Sequence, residues 1–229
     1  DIEIIGEDFE SLDETTQDIL TQWIKKESSD ETEYQNALED LKNGLGFSPL
    51  TGEIVAIGVL DNERNQGVIY YQDPSKKQKE TADGNFKFKP CSEKEMLENF
   101  WTGAKNYDQV VTFNGRAFDA PFLITRSAIH GVKPSVDLME GRYLYQQKGI
   151  RHIDLLDQLT FYGATRKKGN LHLWSRAFGI KSPKSDGVSG DDVGRLFKEK
   201  KYLEIAQYNV GDLLATQKLF ENWDKYFNL

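Results

Sequence analysis

Apolar residues along this chain change their spacing at several points, and each change marks an element. Ile54-Val55-Ala56-Ile57-Gly58-Val59-Leu60 is a short, almost continuous apolar run, and Gly67-Val68-Ile69-Tyr70-Tyr71 is a second. Their length and β-branched content predict buried strands, with Asp61-Asn62 starting the hairpin turn between them. Asp1-Ile2-Glu3-Ile4-Ile5 alternates acidic and apolar residues, which predicts a strand carrying both acids on one face. It starts at the first residue, so it is a truncated strand, one that continues upstream, or a frayed acidic terminus. Val110-Val111-Thr112-Phe113 predicts another strand, broken by Asn114-Gly115, two residues that tolerate positive φ. Beyond the break, Phe118, Phe122, Ile124 and Ala128 recur at helical spacing as far as His130-Gly131.

Helical spacing governs most of the rest. Ile19, Leu20, Trp23 and Ile24 form one stripe, and Ala37, Leu38 and Leu41 a second, predicting two amphipathic helices as an insert or lid over about residues 7–46. Ser92-Glu93-Lys94-Glu95 has capping-box spacing ahead of Met96, Leu97, Phe100 and Trp101. His152 to Leu159 reads as a short strand passing into a helix, Asn170 as the cap of a helix stopped by Gly179, and Tyr202 to Tyr226 as a long last helix. Residues 73–90 read as a polar loop with a short strand near Phe86 and Phe88, and Lys181 to Gly190 as a Ser/Gly/Lys-rich loop leading to a helix that ends near Lys200. The order of elements predicts an α/β fold, with 1–229 forming a single domain.

Composition narrows the class. With 38% hydrophobic and 12% aromatic residues the chain is expected to fold. No apolar run is long enough to span a membrane, and the single Cys91 excludes an internal disulfide, which favours a reducing, cytoplasmic setting. A net charge of −8 argues against a strong non-specific nucleic-acid binder but leaves open an enzyme whose acids gather around cations. His130, His152 and His172 lack metal-ligand spacing and are assigned to capping or the surface.

Four acids stand out: Asp1 and Glu3 on one strand face, Asp119 after a strand end, and Asp212 on the last helix with Tyr208 one turn earlier. Carboxylates brought close would raise one another's pKa unless hard cations with oxygen ligands intervene. Spacing alone does not show that they meet. Asp154 is either a helix cap or a site residue.

Asp1-Ile2-Glu3, Asn114-Gly115-Arg116-Ala117-Phe118-Asp119-Ala120-Pro121 and Tyr208-Asn209-Val210-Gly211-Asp212, in that order, resemble the three motifs of the DEDD, or DnaQ-like, 3′–5′ exonuclease superfamily. The Tyr in the third motif resembles its tyrosine branch, and the nearest likeness is to stand-alone exonucleases related to the exonuclease domain of family B DNA polymerases. The resemblance implies a ribonuclease-H-like mixed sheet flanked by helices, and two Mg²⁺ or Mn²⁺ ions. It implies Asp1, Glu3, Asp119 and Asp212 as metal residues, Tyr208 as the residue that orients the attacking water, and a single-stranded DNA or RNA 3′ end as substrate, DNA favoured. A non-catalytic nucleic-acid-binding module with the same fold, and an exoribonuclease, remain open alternatives. Asn114, Phe118, Arg166, Lys167 and Lys168 are candidate substrate contacts, as are Phe113 and Lys181-Ser182-Pro183-Lys184; core packing is the stronger reading for Phe118 and Phe113, a turn suffices for Asn114, and a solvated surface suits both basic runs as well.

Overall fold

The computed structural model describes residues 1–182 and 190–228. In chain order the elements are β1 (Ile2–Gly6), α1 (Glu14–Glu27), α2 (Glu31–Gly44), β2 (Gly52–Asp61), β3 (Gln66–Gln72), β4 (Thr81–Asp83), β5 (Phe86–Cys91), α3 (Glu93–Ala104), β6 (Gln109–Thr112), α4 (Asp119–Ile129), β7 (Arg151–Asp154), α5 (Leu155–Leu159), α6 (Leu171–Ala177), α7 (Val193–Lys198) and α8 (Tyr202–Tyr226).

The apolar runs of β2 and β3 pair as an antiparallel hairpin at the centre of a five-stranded mixed sheet of order β1-β2-β3-β5-β4. The strand expected near Phe86 is more than a loop decoration: β5 pairs parallel with β3 and antiparallel with β4. β6 and β7 form a separate two-stranded parallel sheet. Alternation along the strands divides the core. Ile2, Ile54 and Ile57 pack with Met96, Leu97 and Trp101 of α3 and Ala120, Phe122 and Leu123 of α4. Val55, Ala56, Ile69 and Tyr71 face Ile205, Ala206 and Leu213 of α8. A third cluster joins Ile153, Leu155 and Leu159 to Leu219 and Trp223 at the far end of α8. The mixed sheet covered by helices on both faces is the ribonuclease-H-like architecture expected.

Local signals hold closely. Ser92 and Glu95 make the reciprocal capping box of α3, Asn170 accepts from the Leu173 amide at the start of α6, and Gly131 and Gly179 take positive φ where helices stop. The insert differs from its apolar stripe. Leu20 is half-buried and Ile24 fully buried, but Ile19 and Trp23 are 67% and 50% exposed and α2 buries nothing fully. Two helices resting on a sheet edge offer each other one narrow seam, so the outer half of each stripe stays in water. Pro183 to Ser189, which holds part of the Lys181-Ser182-Pro183-Lys184 run and the start of the expected cap before α7, lies outside the described residues.

A buried ion network fixes α3 and α4 to β2. Glu93 accepts from the Ile54 amide at 2.8 Å, from Arg126 Nε and Nη2 at 2.8 and 2.7 Å, and contacts His130 at 2.7 Å. Arg126 also donates to the Pro49 carbonyl at 3.3 Å.

Candidate metal centre

Strand β1 supplies two of the carboxylates. Its antiparallel pairing with β2 runs through Ile2↔Ile57 and Glu3↔Ala56, and a register shift follows between Glu3 and Ile4. Asp1 joins the ladder too, its carbonyl accepting from the Gly58 amide at 2.9 Å. Because side chains alternate across a strand, Ile2 enters the core on one face while Asp1 and Glu3 turn to the other, toward α8. The bulge after Glu3 lets the strand bend at this point.

Helix α8 supplies the rest. Asn209 and Leu213 lie one turn apart on the face against β2, and Tyr208 and Asp212 are their neighbours. The close approach is made at Gly58, where an added Cβ would collide with Asn209 Oδ1 and meet Leu213 Cδ1 at 2.9 Å. With that gap closed, oxygens of Asp1, Glu3 and Asp212 lie within 4.8 Å of one another. These three come from positions 1, 3 and 212, and they form the one such group among the described residues.

Asn209 is fully buried and was not singled out by sequence reasoning. Its Nδ2 donates to Asp1 Oδ2 at 2.8 Å and to Glu3 Oε1 at 3.1 Å, so one amide holds both strand carboxylates. Its own Oδ1 has no hydrogen-bond partner. Both donors of a neutral side chain are thus spent between acids, a signal that sequence alone could not carry. Burial, and then the charge of Asp212, push the Glu3 carboxyl up to about 8, while the Asn209 hydrogen bond opposes the shift. A carboxylate cluster this close, with Glu3 buried at its base, is unfavourable when charged and suits a hard cation with oxygen ligands.

Asp119 is the first residue of α4 and is 6% exposed. It lies outside the group of three, but near enough for its charge to push Glu3 upward. Burial raises its own pKa, and Asp154 adds to the rise. Asp154 explains the turn that delivers Asp119. Its Oδ1 accepts from the Asn114 amide and its Oδ2 from the Arg116 amide, both at 2.9 Å, and Oδ1 also caps α5 at the Leu156 amide. The capping and site readings are therefore combined in one carboxylate. Asn114 takes φ 65°, and at Gly115 a Cβ would collide with the Thr112 side chain, so each residue of the pair has its own reason to be there. His152 departs from a surface role. It is 2% exposed, between Thr112 Oγ1 at 2.9 Å and the Leu138 carbonyl at 2.8 Å, and burial lowers its pKa.

Of the remaining candidates, Tyr208 packs at the edge of the α8 core one turn before Asp212. Phe118 is half-buried against Phe122, with ring centroids 5.7 Å apart, and Phe113 packs on the third cluster. Arg166, Lys167 and Lys168 are exposed in the loop between α5 and α6. A cleft of about 720 Å³ separates the free edge of β2, at Val59 and Leu60, from β6 at Val110 to Thr112, with α3 and α8 on either side. Asp1 and Asp119 contribute to its lining, so the carboxylate group borders it.

A mixed sheet crossed by one long helix, with acids from strand and helix converging, is a ribonuclease-H-like α/β arrangement. The chain belongs to the family described as predicted 3′–5′ exonucleases related to the exonuclease domain of PolB, whose model matches residues 51–226. Asp119, Tyr208, Asn209 and Asp212 fall inside that match; Asp1, Glu3 and the helical insert precede it. It is 30% identical over 146 residues to a DNA polymerase of Desulfurococcus sp. (strain Tok), covering 56% of this chain and 18% of the polymerase. It is 23% identical over 185 residues to the DNA polymerase of Thermococcus litoralis, covering 73% of this chain and 10% of the polymerase. Its fold resembles that of the family B DNA polymerase from Pyrobaculum calidifontis, with a TM-score of 0.56, 20% identity, and coverage of 77% of this chain and 22% of that one. The chain thus spans about a fifth or less of the polymerases it resembles in sequence. Exonuclease domains of this kind use divalent metals, and their substrates are nucleic acids.

Proposed function

We propose that this chain is a metal-dependent 3′–5′ exonuclease that removes nucleotides from the 3′ end of single-stranded nucleic acid, with DNA favoured. The observation that carries the proposal is the meeting of Asp1 and Glu3, neighbours on β1, with Asp212, more than 200 residues away in sequence, beside the buried Asp119. The preference for DNA rests on the polymerase relatives.

Two Mg²⁺ or Mn²⁺ ions held by Asp1, Glu3, Asp212 and Asp119 would lower the pKa of water and offset charge on the phosphodiester oxygens. The protein's residues do the rest. Asn209 keeps the Asp1 and Glu3 oxygens turned toward Asp212. Asp154 holds the 114–116 turn, and through it the start of α4, so that Asp119 does not drift. Tyr208 orients the attacking water; a phenol with an ordinary pKa near ~10 is a better hydrogen-bond partner than base at neutral pH.

The test is a 5′-labelled single-stranded DNA oligonucleotide and its RNA counterpart, incubated with Mg²⁺ or Mn²⁺. The expected result is a ladder shortening from the 3′ end, faster on DNA and abolished by EDTA. Wild-type protein inert on both substrates with both metals refutes the proposal, and binding without cleavage points to the non-catalytic module.

A further inference from the structure

We propose that the segments on either side of β7 build a base-stacking platform that holds the single strand as it enters the carboxylate site; this rests on the nuclease reading for its direction but not for its binding.

Three large aromatic residues stand in water here instead of in the core. Tyr145 is 82% exposed, Phe161 61% and Tyr143 37%. The two tyrosines are ordered with respect to each other, while the Phe161 ring lies 6.2 Å from that of Phe227. The Tyr143 and Tyr145 rings are stacked, 10° from parallel with centroids 5.7 Å apart, and Tyr162 meets Tyr143 edge-on at 4.6 Å. Arg142 ties the segment before β7 to the segment after it, bridging to Asp157 at 2.9 Å, and within the later segment Gln158 donates to the Tyr162 hydroxyl at 2.7 Å. Phe161 and Tyr162 both take positive φ, at 52° and 57°. Bulky residues rarely adopt that conformation, and two in succession carry a local conformational cost.

Charge gives the surface its occupant. The chain carries 37 acidic residues against 29 basic ones, yet no Asp or Glu occurs from Gln158 to Ser185, while six Lys or Arg do. Exposed Arg166, Lys167 and Lys168 begin four residues after Tyr162. Flat π-faces beside cations, in a chain otherwise negative, match a strand with unstacked bases and a phosphate backbone. A duplex offers the phosphates but not the base faces.

Position connects the platform to the chemistry. β6 and β7 are parallel, so the segment after β7 leaves from the same end as the Asn114 turn and Asp119. Arg116, on that turn, donates to the Leu138 and Met139 carbonyls at 3.1 and 3.0 Å, joining the turn to the segment that carries Tyr143 and Tyr145.

The experiment measures binding of a 5′-fluorescein-labelled twelve-residue oligothymidylate by anisotropy in EDTA, using the full chain, Tyr145→Ala, Phe161→Ala and Tyr145→Phe, followed by KM and kcat with metal. Each alanine variant should weaken binding roughly 5- to 150-fold, as loss of one stacked base does. Tyr145→Phe, which keeps the ring, should bind like wild type, and KM should rise in the alanine variants with kcat little changed. Alanine variants that bind as tightly as wild type, or wild type that binds a duplex of the same length better, overturn the platform. Protein that shows the alanine losses but cleaves nothing upholds the platform while overturning the nuclease reading.

Discussion

Replacing Asn209 by Ala tests the metal centre without touching a carboxylate. The amide donates to Asp1 and Glu3 at 2.8 and 3.1 Å. Hydrogen bonds to charged groups contribute about 1.5–3 kcal/mol each. Glu3, already pushed to about 8 by burial and Asp212, would lose the one side-chain hydrogen bond that holds it down. At neutral pH a carboxyl pushed up this far already holds its proton part of the time, and each further unit of rise costs about tenfold in any affinity that needs the charged form. Asn209→Ala should therefore weaken Mn²⁺ binding by about 10- to 100-fold at pH 7.5, and the deficit should shrink toward pH 9. The unpaired Asn209 Oδ1 leaves with the side chain, which offsets part of the stability lost with the two hydrogen bonds. Gly58→Ala drives a methyl group into that same amide and should reproduce the metal defect with no change of charge. Calorimetric titration with Mn²⁺ at both pH values, in buffers of different ionisation enthalpy, reads affinity and the proton released. The reasoning fails if Asn209→Ala and wild type bind Mn²⁺ within about twofold at pH 7.5. The raised pKa has a second consequence with a definite sign. Between the ordinary value of 4.5 and about 8 the metal-free native state holds a proton that the unfolded chain releases, so this carboxyl costs stability progressively as pH rises across that window.

Two other substitutions separate chemistry from folding. Asp119 is buried with a raised pKa, so Asp119→Asn should leave urea stability unchanged or higher by up to ~1 kcal/mol while lowering kcat at least ~100-fold; an active variant would remove Asp119 from the site. Glu93 behaves in the opposite way. Burial alone would raise its pKa, but Arg126, the Ile54 amide and His130 together hold it below 4.5. Its contribution is thus full above the unfolded value and is lost as pH falls through the depressed folded value. Glu93→Ala leaves Arg126 buried without its partner and should cost about 3–5 kcal/mol at pH 7 by urea unfolding, with a smaller difference in acid; equal stability at pH 7 would show that the network contributes nothing net.

Much of the fold was legible because its signals are local. Runs of β-branched residues, a capping box, Asn-Gly after a strand and a glycine after a helix act over a few residues, and β2, β3, α3, α4 and α8 appear where those signals put them. The four acids and Tyr208 were legible from residue type, short-range spacing and motif order, which say that residues matter together but not how they meet. The outward turn of Ile19 and Trp23 was not legible, because a stripe marks a face without saying how much surface is available to cover it. The two-part pairing of the strands and the role of β5 were settled by contacts between residues distant in sequence.

The sequence by itself determined the elements, the candidate acids and the basic, acid-free stretch after Asp157, since each depends on residue type and short-range spacing. Only the tertiary structure decided that Asp1, Glu3 and Asp212 converge, that Asn209 lies between two of them, and that Asp154 holds the turn before Asp119. The physical reason is the close approach of α8 to β2 at Gly58. A glycine in an apolar run reads as a weak point in a strand, and its use appears only when the helix that fills the gap is in place.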